Sequence, residues 1–571
     1  MCYNSMIFPG QEALKVSTPK KKKRGGMPTL LLSALALCFT YFIFAPVEQY
    51  MLNQSEMWFS LWGIAPQALV SFALSFGVLS GIGYLLPVKA RRALSAVLIS
   101  LALCVYLQGN FINADYGELD GRAIDWGKYT LYAVADTLFW VLVPAGALVF
   151  AFKKRKLFHK SARAVALVMV FVQVVALTSV FATRPVEDKS LDWIVSEKDA
   201  FRMASDQNTV MFVVDACDLT YLPEIQATDP EAIAAFDGFT YFADYAGSYS
   251  KTKMGLVYLL TGKWYENNET IERYIDTAYD DVALYDALLA NGWNVRLYTS
   301  ETYVSESLVG RVSNIIRADL TVGSHVGLWG KMLRFVSFRY MPHVFKPAFN
   351  FYSGELGDYK SSTGEAIPFL KDNFAVVKSY DEKGLTVSGE YDKSFSVYHI
   401  NGSHLPCNMD AYGNYVGNWN ATAVEQTRGV FRFLSRIFED MKKAGLYDSA
   451  NIIITADHGR FDEGPSSPIL LIKPAGSAGE ITYNTAMTHV SDMHDTLLSL
   501  CGLPHEGRTV FDIPKEEERA RRYLYYPTTR ENGGTLPPLT EYNVGREQTF
   551  TPTGAVYEGG AKAIQETKNA D

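Results

Sequence analysis

Cysteine is scarce. There are six among 571 residues, and none is spaced as a metal-binding pair. Cys2 lies in the N-terminal tail and Cys38 and Cys104 fall inside apolar runs, which leaves Cys217, Cys407 and Cys501 in the more polar part. This excludes a disulfide framework and a thiolate metal site. Small buried side chains are the expected use of such cysteines, with a Cys217–Cys407 disulfide left open. Cations are in deficit as well: 53 Lys and Arg against 61 Asp and Glu give a net charge of -8. No basic face offsets it, so a general nucleic-acid role is excluded and no nucleic-acid partner is expected. Internal repeats and low-complexity tracts are lacking too. The first apolar run opens like a signal peptide but is long and has no small-residue cleavage site.

Long apolar runs, by contrast, are abundant in the first third of the chain. They cover about 30–47, 66–88, 93–108, 131–152 and 164–182, the third being the shortest. Most approach the roughly 20 residues that cross a ~30 Å hydrocarbon core. Charge alternates with them. Lys20, Lys21, Lys22, Lys23 and Arg24 precede the first run, and Lys89, Arg91 and Arg92 separate the second and third. Lys153, Lys154, Arg155, Lys156, Lys160 and Arg163 separate the fourth and fifth. The other two loops carry Glu48 and Glu56, then Asp115, Glu118, Asp120 and Asp125. The positive-inside rule puts the N-terminus and both basic loops in the cytoplasm, and five spans then put everything after Arg184 outside. Asp136 interrupts the fourth run; a carboxylate in hydrocarbon is costly, so it should face other helices, the interface or a polar cavity.

Beyond Arg184 the chain reads as a soluble α/β unit. A polar connector, with Asp192-Trp193 and Lys198-Asp199, is expected along the membrane surface. Short β-rich runs recur at 209–214, 241–245, 295–298, 395–400, 452–455 and 469–472, with helical patterns between several of them, notably 423–444 and 492–501. Strands alternating with helices predict a largely parallel sheet covered on both faces. Functional groups gather at the carboxyl ends of such strands. Asp215 follows the first run, His399 and His404 lie at or just past the fourth, and Asp457-His458-Gly459 follows the fifth. Taken singly, each is a weak signal: an Asp after a strand is more often a helix cap or turn residue. The stretch after His505, richer in Gly, Pro and Tyr, is expected to add edge strands.

Taken in order, these segments resemble one superfamily. "NTVMFVVD" resembles the opening strand and metal carboxylate of sulfatases and lipoteichoic acid synthases. "TKMGLVYLLTGKWY" resembles their nucleophile segment, where the reactive residue stands ten positions before the Gly of "LLTG"; counting back from Gly262 gives Thr252. "HINGSHLP", His399 to Pro406, is similar to the H-x-x-G-S-H-x-P pattern of phosphoethanolamine transferases. "IIITADHG" is similar to the second metal-binding motif, and "THVSDMHDTLLSLCGLP" to the closing helix. The resemblance covers about 208–505. It implies a five-helix membrane anchor followed by an α/β alkaline phosphatase-like (sulfatase-type) domain. The corresponding division is a cytoplasmic basic tail at 1–26, transmembrane helices at 27–183, a connector at 184–207, an extracytoplasmic catalytic domain at 208–505 and its extension at 506–571.

The resemblance also implies roles. Thr252 would be the nucleophile and, with Asp215, Asp457 and His458, a ligand of Mn²⁺ or Zn²⁺; His404 would serve the substrate phosphate, the leaving group or a second metal. Position alone would make Thr252 a helix N-cap. His399 is expected to be structural, His489 precedes a helix where some relatives carry an active-site histidine, and the directions of Lys253 and Asp218 stay open. A threonine hydroxyl needs a metal or base to act as a nucleophile near neutral pH. Sulfatases need Cys or Ser at this position, in C/S-x-P-x-R; here Thr252 stands there, and Met254 and Leu256 replace the Pro and Arg. Threonine cannot yield formylglycine. The expected activity is therefore transfer of phosphoglycerol or phosphoethanolamine from a phospholipid donor in the bilayer to an envelope glycan or lipid acceptor. The alternatives are ester hydrolysis and a catalytically silent membrane sensor.

Overall fold

A segment without polar interruption can satisfy its backbone internally only by coiling, and in the computed structural model the apolar runs do so. Residues 25–117, 119, 121–187, 189–460, 464–529, 531 and 533–560 are described. Cys2, Lys20 to Arg24, Glu118, Asp120 and the chain past 560 lie outside them. Among the described residues five helices are long and apolar enough to cross a membrane: α1 (Met27–Leu52), α2 (Ala65–Leu85), α3 (Val88–Ile112), α4 (Trp126–Lys153) and α5 (Arg155–Thr183). The third run, the shortest in the sequence, becomes a full-length helix of 25 residues. It does so because the residues read as basic loops are helical: Lys89, Arg91 and Arg92 form the first turn of α3, and Arg155 to Arg163 open α5.

That change explains what the cations do. Arg91 donates to the carbonyls of Gly83 (2.7 Å), Tyr84 (3.1 Å) and Leu86 (3.0 Å), satisfying the C-terminal end of α2, and to that of Gly25 (3.2 Å) beside α1. Thr29 Oγ1 meets His159 Nδ1 at 3.0 Å and accepts from Arg163 Nε at 2.9 Å. The basic segments therefore converge on one end of the helical bundle. Within it, Thr40 and Gln173 hydrogen-bond across α1 and α5 at 2.8 and 3.2 Å, the kind of pair worth ~1 kcal/mol in hydrocarbon.

The α/β unit sits on the other end. Seven strands form its central sheet among the described residues: β1 (Gln207–Val214), β2 (Thr240–Phe242), β3 (Asn294–Tyr298), β4 (Lys393–Ile400), β5 (Ala450–Thr455), β6 (Leu470–Lys473) and β7 (Thr482–Asn484). Their order is β7-β2-β6-β5-β1-β4-β3, with β6 alone antiparallel to its neighbours. β1 is buried from Asn208 to Val214 and β5 along its whole length, as strands covered on both faces must be. The helices that matter for the site are α6 (Thr252–Thr261), α7 (His325–Tyr340), α8 (Ala423–Lys443) and α9 (Met493–Leu500). α8 is held at its start by a capping box between Thr422 and Glu425.

Two segments differ from expectation. The connector is woven into the α/β unit: Trp193–Val195 pairs with Ile315–Arg317, and Trp193, Phe201 and Met203 enter its core. Apolar residues within its polar sequence are what drive this. The C-terminal stretch forms a separate antiparallel sheet, β8 (Arg522–Tyr525), β9 (Leu539–Val544) and β10 (Phe550–Tyr557), rather than edges of the central one. Cys217 and Cys407 are both buried and free.

α7 joins the two parts. His325 Nδ1 lies 2.8 Å from the Gly63 carbonyl, Trp329 Nε1 donates to Ser71 Oγ (2.9 Å), and Arg339 Nε donates to the Gly109 carbonyl (2.9 Å). Tyr340 donates to Glu48. Asp136 Oδ2 accepts from the His343 backbone at 2.7 Å, so the carboxylate in the fourth span meets a backbone amide of the α/β unit just past α7.

Candidate active site

Three adjacent parallel strands, β4, β1 and β5, deliver the candidate residues to one sheet edge. Asp215 follows β1, His399 is the penultimate residue of β4, and Asp457-His458 follow β5 by one residue. Two glycines permit the close approach. Gly402, with φ +55°, would bring a Cβ to 2.7 Å from the Asp215 amide. At Gly255, on the first turn of α6, a Cβ would come within 2.3 Å of the Asp457 carbonyl oxygen, so α6 can lie directly on the Asp457 segment only without a side chain there.

Ligand atoms of Asp215, Asp457 and His458 lie within 4.8 Å of one another, all buried. Thr252 is the first residue of α6, not its cap, and retains 8% exposure. Its Oγ1 turns toward Asp215 Oδ1 (3.4 Å) and His458 Nε2 (3.2 Å). His458 Nδ1 is 2.6 Å from the Gly459 carbonyl, which can only accept, so in the neutral ring Nε2 presents its lone pair to the cluster. Asp457 Oδ1 accepts from the Ala216 amide at 3.2 Å. Its Oδ2 is buried without a hydrogen-bond partner among the described residues, with His458 Nε2 3.6 Å away. A carboxylate oxygen buried this way is costly unless a cation takes it. Two carboxylates and one imidazole, with a hydroxyl beside them, therefore fit a divalent metal ion.

Lys371 is the residue that sequence reasoning missed. Its Nζ donates to Asp215 Oδ2 at 2.8 Å. Burial alone would raise the Asp215 carboxyl, but the Lys371 ammonium, with His404, His399 and His458 around it, holds it well below the usual carboxylate range. His399 also reaches Asp215 Oδ2, at 3.3 Å, while its other nitrogen meets Thr299 Oγ1 at 2.9 Å, so it orients the carboxylate. Burial, then Lys371, lowers the His399 imidazole; burial dominates for His404 too. At His458 burial is opposed by Asp457 and Asp215, which raise it. Lys371 stands alone in "PFLKDNF" on a loop, with no periodicity or motif to mark it.

A cavity of about 710 Å³ adjoins the cluster. His404, Lys371 and Tyr303 line it on the cluster side, and Glu56 and Trp58, from the loop between α1 and α2, line it elsewhere. Lys371 connects the two, since it borders the cavity and bonds Asp215. The remaining candidates fall outside the cluster. His489 is spent on Ser491 and on the carbonyls of Gly247 and Arg522. Asp218 accepts from Thr220 and Arg460, and Lys253 pairs with Glu531 at 2.9 Å.

No family model matches the chain, and no curated protein matches it. Solved structures do. A protein of the alkaline phosphatase superfamily from Vibrio parahaemolyticus is similar at 15% identity over 66% of this chain and 90% of its own, with a TM-score of 0.34. A phosphonate monoester hydrolase from Silicibacter pomeroyi matches at 12% identity over 64% of this chain and 93% of its own (TM-score 0.36). The lipoteichoic acid synthase LtaP from Listeria monocytogenes matches at 12% identity over 66% and 95% (TM-score 0.32). Likenesses of this size carry no argument about chemistry, which rests on the side chains above.

Proposed function

We propose that the chain is a membrane-anchored, metal-dependent phosphotransferase acting on phospholipid headgroups outside the cytoplasmic membrane. One observation carries the reading: the Thr252 hydroxyl opens a helix yet turns away from capping it and into a buried cluster of Asp215, Asp457 and His458. The resemblance of this segment to threonine-bearing phosphotransferases points the same way.

Thr252 Oγ attacks the phosphorus of the headgroup phosphodiester, and the bond to the glycerol oxygen breaks. That oxygen takes up the proton that the Thr252 hydroxyl gives up, diacylglycerol leaves, and the headgroup phosphate stays on Thr252. A hydroxyl of an envelope glycan or lipid then attacks the same phosphorus, the bond to Oγ breaks, and the acceptor's proton restores the threonine hydroxyl. Asp215, Asp457 and His458 would hold the divalent ion, Mn²⁺ or Zn²⁺, which favours the alkoxide and offsets charge on the phosphoryl oxygens. Lys371 fixes Asp215 as a carboxylate, the amides opening α6 favour phosphate oxygens, and His404 assists phosphate binding or proton transfer. Convergence of the basic segments on the far end of the helical bundle supports an outward-facing α/β unit.

The test uses the full chain in mixed micelles with Mn²⁺ or Zn²⁺ and fluorescent phosphatidylglycerol or phosphatidylethanolamine. Diacylglycerol should be released by the native chain and not by Thr252→Ala. Headgroup phosphate recovered on a glycan hydroxyl marks transfer, and recovery on water alone marks hydrolysis. Cleavage of an aryl sulfate but of no phosphodiester would overturn the reading.

A further inference from the structure

A second cavity, of about 530 Å³, lies wholly within the apolar helices except for one residue. Its walls include Leu37 and Tyr41 of α1, Val78 and Leu79 of α2, Leu101 of α3 and Trp140 of α4; Met341, just past α7, closes one end. α2 is held beside the slot by Phe76 and Leu79, which pack on Leu30, Ala34 and Leu98, and at two further points. Gly83 packs against Leu30 so tightly that a Cβ there would come within 1.9 Å of it, and Ser71 is held by Trp329. Along α2 only Ala68 and Gly83 are buried, and Leu74 and Val78 remain 64% and 59% exposed beside the slot. The slot therefore opens sideways onto the faces that lipid must cover.

Its polar end is equally defined. Tyr41 and Ser337 share a hydrogen bond of 2.6 Å, and Trp140 Nε1 donates to Gln108 Oε1 at 3.0 Å. Lys331, Arg334, Ser337 and Met341 follow the three- and four-residue spacing of one helix face. Lys331 and Arg334 line the cavity beside the metal-ligand cluster, while Met341 lines the slot. One face of α7 with the Met341 that caps it, about 15 Å long at 1.5 Å per residue, thus runs from the slot to the cavity beside the candidate active site. An apolar slot excludes water, and left empty it forfeits the dispersion contacts of its walls; in a bilayer the abundant apolar rods are acyl chains.

We infer that the slot binds one acyl chain of a diacyl phospholipid, with the headgroup directed along α7 toward the cavity of Lys331 and Arg334. Binding of the chain stands by itself; that the bound lipid is the donor rests on the phosphotransfer reading. The full chain, extracted in mild detergent from vesicles of phosphatidylglycerol and phosphatidylethanolamine, is weighed intact by native mass spectrometry. It should retain one phospholipid. Ser75→Phe on α2 and Leu101→Phe on α3 fill the slot and should each lose it, whereas Leu138→Phe, on an exposed face of α4, should keep it. Equal retention in the filled variants, or no retained lipid in the native chain, overturns the inference. In the unaltered chain brominated acyl chains should quench the emission that Trp140→Phe removes, and its persistence would likewise count against the slot. With active protein, the filled variants should raise KM several-fold for a long-chain donor and leave a dihexanoyl donor unchanged. If no phosphotransfer exists at all, the lipid count still decides the slot.

Discussion

Replacing Lys371 by Met should destabilise the chelated protein far more than the metal-loaded one. The ammonium and the buried Asp215 carboxylate are 2.8 Å apart, an attraction of about 6 kcal/mol at an effective dielectric of about 20. The Lys371 side chain is 21% exposed, and His399 and Thr252 still reach the carboxylate at 3.3 and 3.4 Å. Both reduce the loss, to about 3 kcal/mol, the low end for breaking a buried pair. At about 2.1 cal/mol/K of unfolding entropy per residue, a domain of roughly 350 residues shifts by about 1.4 °C per kcal/mol, so thermal unfolding in detergent and excess chelator should move down by about 4 °C. When a divalent ion occupies the cluster, it supplies the positive charge on the same carboxylate, and removal of a repelling ammonium tightens its binding. The melting temperatures of variant and native chain should then converge to less than half that gap. An equal loss in both states would mean that Asp215 is not a ligand and that Lys371 serves packing alone.

Asp457→Ala and His458→Ala should each lower the metal content of the purified chain and its transfer activity together, with the fold retained by circular dichroism; Asp215→Ala should do the same. Unchanged metal stoichiometry in all three would put the ion elsewhere. Reporters fused after Gln108 or Arg184 should show activity characteristic of the outside, and those after Arg92 or Lys156 of the cytoplasm. A cytoplasmic signal after Arg184 would reverse the orientation.

Local signals made part of this molecule legible and geometry supplied the rest. The five apolar helices follow from run length, and β1 and β5 follow from short β-branched runs ending in Asp215 and in Asp457-His458. Thr252 could be picked only through the resemblance, which counts back from Gly262, because its position at a helix start favoured a cap; in the structure Oγ1 turns toward Asp215 and His458 instead. Lys371, on a loop, and Tyr303, at the end of a short 3-10 turn, were invisible because each is a single residue brought to the site by the chain's path between β3 and β4. Glu56 and Trp58 were invisible for the same reason, since a loop between two apolar helices gives no sign that it walls a cavity of the α/β unit. The connector went the other way: its charges suggested a surface path, but Trp193, Phe201 and Met203 outweigh them by burial in the core.

The central claim is a covalent bond to one oxygen. The full chain with Mn²⁺ or Zn²⁺ is incubated with phospholipid in the absence of acceptor, quenched in acid and digested, and the Thr252 peptide is weighed. The account predicts that a fraction of this peptide gains the mass of the headgroup phosphate, that Thr252→Ser still forms the adduct, and that Thr252→Ala does not while losing turnover by orders of magnitude. A Thr252→Ala chain that turns over phospholipid at the native rate would contradict it.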